Sequence, residues 1–129
     1  MKIILKEKDQ VILSECKKLL KENPDIKKRK LNLIKDLEKR LYYIKVWVIT
    51  ESQPLHLLKG HDRRCFRGVN CFHLDHIVPI SHGFYSKIPA EKIGHISNLR
   101  FIRSTVNMRK GSKLTTESHR VLKKLKRKR

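Results

Sequence analysis

Apolar residues recur in steps of three and four along the first third of the chain, and strand-like apolar segments take over in the second half. Val11, Ile12, Cys16, Leu19 and Leu20 mark one apolar stripe, the period of a helix resting one face on a core. It stops at Asn23-Pro24, because proline lacks the N–H a helix needs. A second stripe, Leu31, Ile34, Leu37, Leu41, Ile44 and Val48, predicts another amphipathic helix, broken at Gln53-Pro54. Its remaining faces carry Lys27, Lys28, Arg29, Lys30, Lys35, Lys39 and Arg40. The apolar side is expected to pack, with Tyr42, Tyr43 and Trp47 as anchors. The basic side is either a solvated face or a track for a polyanion.

The second half reads differently. Residues 60–68 look like a basic hairpin carrying Arg63, Arg64 and Arg67, leading into a strand over 71–77. Residues 83–94 read as a loop containing Pro89, with a short helical turn at 90–93. Leu99, Phe101 and Ile102 supply a second strand, and Ser104 or Thr105 is placed to cap the helix that follows. Gly111 interrupts or ends that helix. Another then runs over 115–126, with Val121, Leu122 and Leu125 on one side. Lys123, Lys124, Lys126, Arg127, Lys128 and Arg129 make the terminus basic, either an arm for a phosphate backbone or a frayed end. The pattern predicts an α+β chain with a basic helical region at 1–58 packing on a core at 59–129, and no internal repeat.

Charge narrows the choice of partner. The formal net charge is +20, from 32 Lys and Arg against 12 Asp and Glu in 129 residues. Such an excess implies strong, salt-dependent attraction to a polyanion; nucleic acid fits, and an anionic surface would fit equally. No apolar run approaches the ~20 residues of a membrane span. Residues 1–9 turn charged too early for a signal peptide, so a cytoplasmic protein without a membrane partner is expected. Cys16, Cys65 and Cys71 are odd in number, which argues against a disulfide framework and fits a reducing compartment.

The densest chemistry lies between His73 and Lys113. It comprises His73-Leu74-Asp75-His76-Ile77-Val78-Pro79-Ile80-Ser81, Ser97-Asn98-Leu99-Arg100-Phe101-Ile102, and Asn107-Met108-Arg109-Lys110-Gly111-Ser112-Lys113. Asp75 offers a hard anionic oxygen and Asn107 a neutral carbonyl oxygen, a pair suited to Mg²⁺ or Mn²⁺ alongside water and phosphate oxygens. An imidazole, with a reference pKa of about 6.5, is mostly neutral at physiological pH and able to take a proton, which suits His76 as general base. Neighbours on an ideal strand point to opposite faces, so Asp75 and His76 converge only where the strand ends or bends. Pro79, just beyond them, fits such an end. Asn107 and Lys110 share a helical face, putting Lys110 and Lys113 within reach of a phosphate.

These three ordered anchors resemble the HNH (ββα-metal) nucleases, in the variant whose last motif residue is asparagine, and in particular the small phage and homing endonucleases. The resemblance covers roughly the second half of the chain. It implies a strand with Asp75-His76, an irregular loop, a second strand beginning near Asn98 and a helix carrying Asn107. It also implies that Asn98 fixes the loop backbone and so orients the histidine. The expected activity is Mg²⁺-dependent hydrolysis of double-stranded DNA, with 5′-phosphate and 3′-hydroxyl products. A monomer would nick and a symmetric dimer would cut both strands.

Each residue also has an ordinary role open to it. An Asp-His pair can be a turn or a surface hydrogen bond, Asn98 a turn residue and Asn107 a helix cap. His82, where related enzymes often carry an acidic residue, is a further contact at the metal site, a phosphate donor or a loop histidine; His95 reads as structural or solvent-exposed. His61, Cys65, Cys71 and His73 have the composition of a Cys₂His₂ zinc site. Their spacing is irregular and no second cysteine pair follows Asn98. Structural zinc is therefore not expected, and both thiols read as ordinary hairpin or core residues.

Overall fold

A computed structural model describes residues 7–24, 26, 37–65 and 71–127. The architecture there is mixed α and β, mostly helical with one two-stranded antiparallel sheet. Leu31, Ile34, Lys27 to Lys30, Lys35, Arg67, Lys128 and Arg129 lie outside the described residues. Among the described residues no helix is long and apolar enough to cross a membrane.

The first stripe forms α1, Glu7–Glu22. Cys16 and Leu20 are buried, whereas Val11 at the stripe's start is exposed. The second stripe forms α2, Leu37–Ser52, with acidic Glu38 in the first turn where the positive end of the helix dipole favours it. Leu41 and Ile44 close against Cys16 and Leu20, joining α1 to α2. The opposite side of α2 buries Val46 in a cluster with Val78, Ile80, Ile88, Ile93 and Leu125. Trp47 packs on that cluster and also on a third one, formed by Leu55, Leu74, Leu99 and Phe101 under the sheet. The helix is apolar on more than one face because it is sandwiched.

Strand β1, Phe72–His76, pairs with β2, Leu99–Arg103, so that Asp75 stands opposite Arg100 and His76 opposite Leu99. Between them the expected loop is largely helical: α3, Ile80–Tyr85, contains Gly83, and α4 is Ala90–Ile93. Pro79, at the N-cap of α3, is compatible with a helix start, since its missing N–H is not needed there. A Cβ on Gly83 would come within 2.5 Å of the Tyr42 hydroxyl and 2.6 Å of Ile93, so the glycine is required by close packing rather than by a loop.

Helix α5, Ser104–Lys110, follows β2 directly. Ser104 does not cap it; Arg103 holds the cap position without a side-chain bond, and the buried Ser104 donates its backbone N–H to the Cys71 carbonyl at 2.9 Å. Gly111 ends α5 with φ at +53°, a conformation glycine adopts without strain. Helix α6, Thr116–Arg127, is capped reciprocally by Thr115 and Ser118, each side-chain oxygen accepting the other's backbone N–H. Residues 61–63 form a 3-10 turn in place of the expected hairpin arm.

Candidate functional site

Alternation along β1 divides its polar residues between two sides of the sheet. His73 and Asp75 contact α5, while Leu74 and His76 contact the α2 side. Asn107 and Lys110, one turn apart on α5, meet the first pair: Asn107 Nδ2 lies 3.1 Å from His73 Nδ1 and Lys110 Nζ 2.8 Å from Asp75 Oδ1. The shared helical face is thus the seam that lays α5 on β1.

Asp75 is 5% exposed and both its oxygens are engaged. Arg100, its cross-strand partner, donates from Nε to Oδ2 at 2.9 Å, while Lys110 donates to Oδ1 and also to the His76 carbonyl at 2.8 Å. Arg100 extends the chain of charges to Glu117 on α6. Burying a carboxylate is tolerable only with such pairing. Lys110 is itself buried, with its ammonium turned inward rather than toward an open phosphate site.

His76 is also buried. Its Nε2 lies 2.9 Å from Thr50 Oγ1, and Trp47 packs edge-on against the ring at 5.0 Å between centroids. The Thr50 hydroxyl donates its one proton to the Val46 carbonyl at 2.7 Å. Toward His76 it therefore only accepts, which assigns the imidazole proton to Nε2 and, in the neutral ring, the lone pair to Nδ1.

Asn98 is fully buried and fastens the backbone immediately after His76. Its Oδ1 accepts from Val78 N at 2.8 Å; its Nδ2 donates to the carbonyls of Val78 at 3.2 Å and Ile93 at 2.9 Å. Its own carbonyl accepts from Ile77 N at 2.8 Å. Three of these bonds hold the bend at Ile77–Val78, where β1 ends, and the one to Ile93 ties it to α4. Ser118 on α6 adds a fourth at the bend, donating to the Ile77 carbonyl.

The remaining sequence candidates are dispersed. His82 lies on α3 with Nε2 3.2 Å from Ser86 Oγ, away from the α5 seam. Exposed His95 accepts the Ser97 N–H and caps a 3-10 turn. Arg64 is ion-paired to Glu51 at 2.9 Å, whereas Arg63 and Lys113 are exposed. Cys65 and Cys71 are not ordinary thiols: they are joined in a disulfide, with 5.7 Å between their Cα atoms. Cys16 is a free, buried cysteine whose thiol is pushed above its usual pKa, first by burial, with Arg40 opposing. The Cys65–Cys71 bridge runs against the inference from an odd cysteine count, which carries no information about which two residues the fold brings together.

Sequence reading missed Thr50, Arg100 and His73 as partners. The signal for Arg100 lay in strand register, and that for Thr50 in its position four residues after Val46 on a buried helix face. Neither is visible without the tertiary pairing.

The oxygens of Asp75 and Asn107 have the hard character a small divalent ion prefers, and both residues line one seam. As the side chains stand, Arg100 and Lys110 occupy both Asp75 oxygens and the Asn107 amide meets His73, so a divalent ion at this seam would have to displace Lys110 from Oδ1. No family model, curated protein or solved structure matches this chain.

Proposed function

We propose that this protein is a metal-dependent DNA endonuclease of the HNH type, with β1, β2 and α5 as its ββα core. The observation that carries the reading is the return of α5 onto β1 through Asn107–His73 and Lys110–Asp75, with His76 ending the same strand on its other side. Asp75 and Asn107 would hold a divalent ion such as Mg²⁺ or Mn²⁺, which when bound neutralises a phosphate oxygen and stabilises the departing alkoxide. His76, with Nε2 held by Thr50, is the residue we assign as general base; its ring lies on the α2 side of the sheet, so it must reach a water at the Asp75–Asn107 side around the end of β1. Asn98 fixes the bend that presents the histidine. Double-stranded DNA is the substrate class, in keeping with the +20 charge, and exposed Arg63 and Lys113 are candidates to meet its phosphates.

One observation favours a second reading. With both Asp75 oxygens bound to cations, the same fold would serve as a silent nucleic-acid-binding module. Supercoiled plasmid incubated with Mg²⁺ or Mn²⁺ separates the two. Nicking that stops on chelation supports the nuclease. DNA binding without nicking in either metal supports the silent module.

A further inference from the structure

We propose that Cys65, Cys71 and His73 form, in the reduced protein, a binding site for a thiophilic divalent cation such as Zn²⁺. One ligand atom from each of the three lies within 4.8 Å of the others. Around a tetrahedral zinc, ligand atoms stand about 3.3–3.8 Å apart, so the two sulfurs must part once the disulfide is reduced, while a His73 nitrogen already lies within reach of both. The backbone holds the parts in place: Cys65 N donates to the Phe72 carbonyl at 2.8 Å, Ser104 N to the Cys71 carbonyl at 2.9 Å, and His73 lies within β1.

His73 supplies an independent observation. Its Nδ1 is engaged by Asn107, whereas Nε2 is buried with no hydrogen-bond partner. A buried N–H without a partner costs about 1–3 kcal/mol. Ligation through Nε2 removes that N–H and moves the ring proton to Nδ1. Turning the Asn107 amide over then lets its carbonyl oxygen accept from Nδ1, the outer hydrogen bond that ligating histidines commonly make, and withdraws that oxygen from a divalent ion at the α5 seam. His61 stays outside the cluster, its ring against Phe101 at 5.7 Å. Three protein ligands leave the fourth position to solvent.

The disulfide sets the condition for binding. A phosphine reductant takes oxygen from water to become its oxide, and the water's two hydrogens leave Cys65 and Cys71 as thiols. Binding then expels both protons as the sulfurs become thiolates. Oxidised protein offers no thiolate and should bind nothing here.

The test uses the full chain, reduced anaerobically with a phosphine that is then removed, and titrated with Co²⁺ followed by Zn²⁺. Expected is about one Co²⁺ per chain, with a thiolate-to-cobalt charge-transfer band that Zn²⁺ abolishes. Oxidised protein and Cys65→Ser/Cys71→Ser should lack the band, and Cys16→Ala should keep it. In reduced wild type and Cys16→Ala alike, Zn²⁺ should protect Cys65 and Cys71 from alkylation. Reduced wild type showing no band, a band surviving the double serine variant, or alkylation of both cysteines unaffected by Zn²⁺ would overturn the proposal.

Discussion

Replacing Asn98 with alanine removes the clamp behind His76 and leaves three buried backbone groups, Val78 N, Val78 O and Ile93 O, without their partner. The side chain is fully buried, so water does not readily replace it. At about 1 kcal/mol net per hydrogen bond, the loss is about 3 kcal/mol. With a urea m-value of about 2 kcal/mol/M, the unfolding midpoint should fall by about 1.5 M with m unchanged. Asn98→Asp is the sharper variant. It keeps an acceptor for Val78 N but turns a carboxylate toward two carbonyl oxygens, and should destabilise at least as much as alanine. Paired urea melts of the three proteins measure this. Alanine within 0.5 kcal/mol of wild type, or aspartate clearly more stable than alanine, would refute the clamp.

Lys110→Met leaves buried Asp75 with Arg100 alone and should cost about 2–3 kcal/mol, below the full penalty for breaking a buried pair because one cation remains. Adding Asp75→Asn should recover part of it in a double-mutant cycle, and strictly additive losses would contradict the pairing. Thr50→Val should slow DNA cleavage by about 10–100-fold through loss of the His76 tautomer lock, and Thr50→Ser should restore it. Equal rates for Val and Ser variants would remove Thr50 from the scheme. Burial, then Glu91 and Tyr43, raises the Tyr42 phenol above its usual 10.0, and Tyr42 donates to the Ile88 carbonyl at 2.7 Å. Because the folded value is the higher one, this stabilisation is complete below pH 10 and declines as the unfolded chain ionises above it. The stability gap between wild type and Tyr42→Phe should therefore narrow in melts taken from pH 9 to pH 11; a constant gap would contradict this.

The two apolar stripes marked α1 and α2 because amphipathic periodicity is a local property, and Leu99-Phe101 marked β2 for the same reason. Asn107 and Lys110 were legible as one helical face. Residues 80–85 were not read as helix, since Gly83 resembles a loop residue until Tyr42 and Ile93 are seen pressing on it. The Asp75–Arg100 pair depends on strand register, and the Cys65–Cys71 bridge on how 61–65 returns to β1. Those are long-range placements, beyond what spacing encodes. Alternation also turned Asp75 and His76 to different neighbours, a consequence of both residues remaining within the ladder.

In the proposed mechanism the His76 imidazole performs the proton transfer in phosphodiester hydrolysis. Single-turnover plasmid cleavage by wild type and His76→Ala, each at saturating protein with Mg²⁺ and with DNA affinity measured in parallel, tests it most directly. DNA binding by both is expected, with a loss of cleavage of at least ~100-fold in the variant. Cleavage by His76→Ala at the wild-type rate would contradict it.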